Sequence, residues 1–197
     1  MFDGFNTPAS IKGRVSIYEC DRPENVLFER DNVIVQGVSF LFAQLLANNS
    51  GVVAGVWGLA LGAGGVNTAG WSANAQPDPT AVQTAMTGDE IKRKAITLVR
   101  YLDSSGNPTT TLTTQVSFQT VFNATTDAIT TPIREMGLIG GGTTLVSNGG
   151  PTNMLTAPYF DPTAPVANSV VLINYLTLPS LILPPSINIG IDWLLSF

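Results

Sequence analysis

Between Ile187 and Phe197 the chain reads INIGIDWLLSF, apolar at Ile187, Ile189, Ile191, Trp193, Leu195 and Phe197. A step of two is the period of a strand, because successive side chains leave the pleat on opposite faces. A second run repeats it: Val116, Phe118, Thr120 and Phe122 fall on one side, Gln115, Ser117, Gln119 and Val121 on the other, with Val121 off pattern. A helical period cannot place either set on one face, so this alternation commits the chain to half-buried sheet.

Turn clusters separate further runs. Ser104-Ser105-Gly106-Asn107-Pro108, Gly140-Gly141-Gly142 and Asn148-Gly149-Gly150-Pro151 punctuate the sequence. Strands are predicted around Val15–Ile17 and Val26–Phe28, then over Val52–Leu61, Lys92–Asp103, Gln115–Phe122, Ala128–Ile139, Asn153–Phe160, Ser169–Leu178 and Ser186–Phe197. Asp31-Asn32 offers a helix cap, and Val35, Val38, Phe42, Leu45 and Leu46 follow at helical spacing until Asn48-Asn49-Ser50-Gly51. The fold expected is mainly β: an antiparallel β-sandwich, jelly-roll-like, with one early α-helix near 32–47. Residues 1–31 are expected as an N-terminal arm or edge strands, and 32–197 as a single sandwich domain.

Charge narrows the function. Charged residues make up 12% of the chain, about half the usual share, and net charge is −5. All nine Lys and Arg lie at or before Arg134. A phosphate-tracking surface needs a basic stripe, so no nucleic-acid partner is expected. There is no His, which removes the commonest general base and transition-metal ligand. Asp78, Asp89, Glu90, Asp103 and Asp127 lack calcium-loop spacing. No cofactor and no metal are expected. The lone Cys20 has no partner for an internal disulfide and is read as a small residue, buried or half-buried; the lack of Cys pairs fits synthesis in a bacterial cytoplasm. MFDGFNTPASIKGRV has no leader pattern. The apolar runs are broken by Gly or Pro, so no membrane partner is expected.

Several motifs carry two readings. GLALGAGGVN lacks the Lys-Ser/Thr of a phosphate loop and is read as a strand ending in a glycine-rich turn. Arg134-Glu135 is read as a buried pair that orients two strands. Asp89, Glu90, Lys92, Arg93 and Lys94 are either a solvated cluster at a strand entrance or an ion-pair patch between subunits. Trp71, inside the loop 62–80, is expected to dock on something. Trp193 and Phe197 are interface candidates if the closing strand is an exposed edge; otherwise that strand is the last, covered rung of the sheet.

Taken in order, Asn32–Ala47, WGLALGAGG, KRKAITLVRY, VSFQTVFNATTDAITTPIREMGLIGG, NMLTAPYF and INIGIDWLLSF resemble a family of small structural proteins of tailed-bacteriophage virions. Phe118 and Phe122 fall on its VxFxAxF strand, Glu135, Gly137 and Leu138 on its IxExGL strand, Trp193 and Phe197 on its closing aromatic strand. Thr156-Ala157 replaces a commonly basic position, and Leu194-Leu195 blunts the last alternation. The resemblance implies a virion component made in the host cytoplasm: capsid cement or decoration protein, neck, tail, baseplate or fibre base. Low charge suits a protein packed against copies of itself, as dimer or trimer, and against the major capsid protein or tail and neck proteins. The 1–31 arm and the 62–80 loop are the expected contacts. A receptor- or glycan-binding fibre part would use Trp71 and Tyr159. An enzyme is not expected, because no base or paired carboxylates are evident.

Overall fold

The structure, a computed structural model, describes residues 11–38, 55–65, 72, 76–142, 155–164 and 169–197. Among these residues ten strands follow one another: β1 (Lys12–Glu19), β2 (Arg22–Ile34), β3 (Val56–Gly62), β4 (Glu90–Ala95), β5 (Leu98–Leu102), β6 (Pro108–Thr109), β7 (Gln115–Asn123), β8 (Ile133–Gly140), β9 (Val171–Leu181) and β10 (Asn188–Ser196). They form one open sheet in the order β4-β3-β8-β9-β2-β1-β10-β7-β5-β6. Every neighbouring pair is antiparallel.

The two alternating runs meet in register. Trp193 of β10 stands opposite Phe118 of β7 and opposite Val15 of β1; Ile191 stands opposite Thr120 and Ile17. Val15, Ile17, Phe122, Ile189, Ile191 and Trp193 are fully buried on that face. The other face carries Arg14, Ser16, Tyr18, Gln119 and Asp192 and stays polar, as expected of an antiparallel sheet with one covered side. β9 differs. Its sequence VLINYLTL is buried at every position from Val171 to Leu178, because this part of the sheet is covered twice. Leu176 and Leu178 join the main core with Leu59, Leu61, Met136 and Leu138, together with the apolar residues of β1, β7 and β10. Leu172 and Tyr175 join a second cluster with Val35, Trp57, Ile139 and Val170, packed by Met86, Leu155 and Tyr159.

Two expectations about the N-terminal third need correction. The early helix over 32–47 is not supported. Asn32, Val33 and Ile34 close β2, where Val33 pairs with Tyr175 and Ile34 with Asn174 of β9. The β-branched residues that read as the start of a helical stripe sit instead between β1 and β9, and Val35 N donates to Ile173 O (3.2 Å). Helical backbone is described at Gly37 and Val38; residues 39–54 lie outside the described residues. Nor is the described part of 1–31 an arm. β1 stands between β2 and β10. β2 stands between β1 and β9, pairing with β1 from Arg22 to Asn32 and with β9 only at Val33 and Ile34.

Lys92–Asp103, read as one strand, is two. β4 pairs with β3, and β5 pairs with β7. The chain steps between them at Ile96, whose N–H donates to Trp57 O (2.7 Å), and Thr97, whose N–H donates to Gln119 O (2.9 Å). In 155–160, turn and irregular backbone replace the expected strand, apart from one bridge from Tyr159 to Val170. The closing strand is neither an exposed edge nor a last rung. β10 lies inside the sheet, between β1 and β7.

Candidate functional site

The most elaborate polar arrangement surrounds Glu135 of β8, which is fully buried. Its Oε1 accepts from Gly64 N (3.2 Å) and Gly88 N (2.8 Å). Its Oε2 accepts from Thr87 N (2.8 Å) and from the Tyr175 hydroxyl. A carboxylate offers about four lone-pair positions, and here each oxygen has two donors. Burial, then the charge and hydrogen bond of Glu135, push the Tyr175 phenol far above its ordinary range. Tyr175 therefore remains a donor. Gly62 makes the room: a Cβ there would lie 2.6 Å from Glu135 Cγ and Oε1. Gly64 takes φ 72°, which favours glycine. The glycine-rich turn that could be mistaken for a phosphate loop thus wraps the chain's own carboxylate.

Arg134 does not share in this. Neighbours in a strand point to opposite faces, and Arg134 donates from Nη1 to Ala63 O (3.1 Å). The expected Arg134–Glu135 pair is replaced by two separate ties to the turn after β3. Glu135 holds that turn and the segment entering β4 against β8 and β9. It has no lone pair left for a substrate.

The charge cluster of β4 is also resolved into internal bonds. Arg93 forms a two-pronged contact with Glu90, Nε to Oε1 at 2.9 Å and Nη2 to Oε2 at 2.8 Å. It also donates from Nη1 to Ala157 O (2.7 Å) and lies over the Tyr159 ring at 4.8 Å. The Tyr159 hydroxyl donates to Glu90 Oε2 (2.7 Å). Burial and then the charge of Glu90 push this phenol up as well. Tyr159, expected as a ligand-facing aromatic, has both its ring face and its hydroxyl engaged. Lys94 donates to Asp127 Oδ2 (2.8 Å) and to Val121 O (2.9 Å). Lys92 lies 3.9 Å from Asp127 Oδ1. Burial pushes Asp127 up, but the Lys94 bond, the Asn123 amide and the charges of Lys94 and Lys92 outweigh it and hold the carboxyl below its ordinary value.

Within the chain, Glu90, Arg93 and Lys94 act as braces, tying β4 to the 155–160 segment and to the turn after β7. Asp89 is exposed, and its carbonyl accepts from Ala63 N (2.9 Å). Trp193 is fully buried at the centre of the core, so it is no interface residue of the folded chain. Phe197 is 45% exposed. Trp71 lies outside the described residues. Cys20 is half-buried; burial and the neighbouring Asp21 charge push its thiol up, away from thiolate chemistry.

Two surfaces stand out among the described residues. The polar face of β2, β1, β10 and β7 carries a shallow hollow of ≈400 Å³ between Arg14, Tyr18, Glu29 and Asp192. Its charges are paired across strands: Arg14 Nε donates to Asp31 (2.9 Å), and Asp192 accepts from Ser117 Oγ (2.5 Å) with Arg100 at 3.6 Å. The other surface is apolar and lies at the β5–β6 end of the sheet. Val99 and Tyr101 follow Phe118 and Val116 onto the core-facing side, yet Val99 is 52% exposed and nearby Leu112 is 76% exposed. Sequence reasoning missed both this rim and the central role of Glu135. A lone carboxylate in the apolar run IREMGLIG, downstream of a glycine-rich turn, was the available signal for the latter.

No family model, no curated protein and no solved structure matches this chain.

Proposed function

We propose that this chain is a non-enzymatic structural protein of a tailed-phage virion, a capsid cement or decoration subunit that acts as a homo-oligomer on the major capsid protein. One observation carries the reading. The buried charged groups described above bond to the chain's own backbone and side chains, whereas the β5–β6 end offers solvent a set of apolar side chains. The ordered sequence resemblance supports the same conclusion. In this reading the sheet folds over as a jelly-roll-like β-sandwich. Its support is the single core that draws on β1, β7 and β10 as well as β3, β8 and β9, with β2 and the β4–β5 stretch passing between the two halves as corner strands do. The subunit stabilises a shell by adding buried area where neighbouring capsid subunits meet, and its affinity comes from apolar anchors rather than charge.

The test is the mass of the purified protein in solution, with and without phage shells stripped of their minor proteins. A dimer or trimer that rebinds the shells supports the cement reading. A monomer that ignores shells and co-purifies with tail, neck or baseplate fractions overturns it in favour of those locations.

A further inference from the structure

The two ends of the sheet are guarded differently. β4 at one end carries Lys92, Arg93 and Lys94, and charge on an outer strand discourages a further strand from pairing there. At the other end β6 covers β5 only at Tyr101 and Leu102. Leu98, Val99 and Arg100 pair with β7, without a bulge, and among the described residues no strand lies on their outer side. Leu98 and Val99 are exposed, and the charge of Arg100 is met by Asp192 of its own chain at 3.6 Å. The direction of the backbone here follows from one proline. Pro108 has no N–H, so Leu102 and Pro108 form a non-hydrogen-bonded pair, and the bonds of the hairpin fall between Tyr101 and Thr109. On the far side of that pair Asp103 N donates to Asn107 O (2.8 Å), in step with the same alternation. Tyr101 therefore turns its N–H and C=O away from β7. Val99 is two residues away and turns the same way, into the three-residue slot that β6 leaves open.

We propose that Val99 pairs with Val99 of a second copy across a two-fold axis, joining two β5 strands antiparallel through this slot. The inference rests on the homo-oligomer reading above and locates its contact. Val99 is the centre of the slot, so a two-fold axis there makes the two open stretches coincide. Val99 N then donates to Val99 O of the second copy, and the reverse bond follows by symmetry. A shift of the axis toward Leu102 drives one copy's β5 into the other's β6. A shift the other way reaches Ile96 and Thr97, where the chain leaves for β4 and bonds to Trp57 O and Gln119 O instead. The side chains suit the same register. Leu98 faces Arg100 of the second copy, whose methylene stem covers it, and no like charges stand directly opposite each other. Val99 and Tyr101 lie on the other face, and both are exposed in the single chain, so pairing at the slot continues the apolar rim from one copy to the next.

Hydrogen exchange of the unaltered protein over a range of concentrations tests the pairing. The Val99 amide should exchange about tenfold or more slowly in the associated protein than in the dilute monomer. An oligomer in which that amide exchanges as fast as in the monomer overturns the β5 pairing and leaves the homo-oligomer reading standing. A chain that stays monomeric at every concentration overturns both. Cross-linking gives a second readout. A hydrogen-bonded antiparallel pair sets Cα atoms about 5.5 Å apart, within the span of a disulfide. In a Cys20→Ser background, Val99→Cys should therefore link into dimers under mild oxidation, while Ile182→Cys, at a site 70% exposed, should not. Linking no faster at Val99→Cys than at Ile182→Cys also overturns the proposal. The exchange result comes from the unaltered chain, so it decides the matter even where a cysteine variant fails to fold.

Discussion

Glu135 shows how much one buried side chain can organise. Replacing it by Gln keeps the shape but turns one acceptor into a donor, which then faces either the Gly64 and Gly88 amides or the Thr87 amide and the Tyr175 hydroxyl. We expect Glu135→Gln to cost about 3 kcal/mol in urea unfolding, and Tyr175→Phe, which removes the hydroxyl's bonds to Glu135 and to the Thr87 hydroxyl, about 2 kcal/mol. A Glu135→Gln loss no larger than that of Tyr175→Phe would argue against the backbone amides as the main anchor of Glu135. Cys20 gives a second check. With its thiol pushed up by burial and by Asp21, it should alkylate at neutral pH at least about tenfold more slowly in the native protein than in urea. At this scale the sequence was only partly legible. Trp193 and Phe118 announced their faces by spacing, because alternation reports on the residue's own strand. The four donors around Glu135 come from three other segments, and no local pattern encodes such a meeting.

Among the elements, β7 and β10 were legible because each has one covered face and so displays a clean period of two. β9 was legible as a buried run but not as a strand covered on both sides, since coverage depends on what packs above it. The division of Lys92–Asp103 into β4 and β5 left no mark, because Ile96 and Thr97 have strand-like side chains and only their hydrogen-bond partners change. Asn32–Ile34 misled because a β-branched run opening a helical stripe looks like a strand's last residues. The turn after β7 yields a pH prediction. Asp127 has a carboxyl held below its ordinary value in the folded chain. Its stabilisation is therefore complete above the unfolded pKa of about 4 and disappears as pH falls through the lower, folded value. Thermal melts between pH 7 and pH 2 should show that loss beginning below about pH 4. Asp127→Asn should be less stable at pH 7 and lose less on acidification; a parallel fall in both proteins would remove Asp127 as the cause.

For the whole molecule, sequence spacing gave an antiparallel, mainly β chain but not the order of its strands, which depends on partners far apart in sequence such as β2 and β9. The rim at β5 and β6 yields the assembly prediction. Val99→Thr combined with Leu112→Ser should weaken self-association about tenfold or more by sedimentation, while unfolding free energy changes by no more than about 0.5 kcal/mol. An unchanged mass would place the contact elsewhere. The strand order also has a mechanical side. β4 begins the sheet and β5 stands next to its other end, yet a two-residue step joins them. The β4 border is tied to β5 through that step, so a force that draws β4 off β3 is passed on to the pairing of β5 with β7. Under tension the first piece to yield is then β6, two residues long and bonded to β5 alone, a short hem that can come loose while the seam behind it holds.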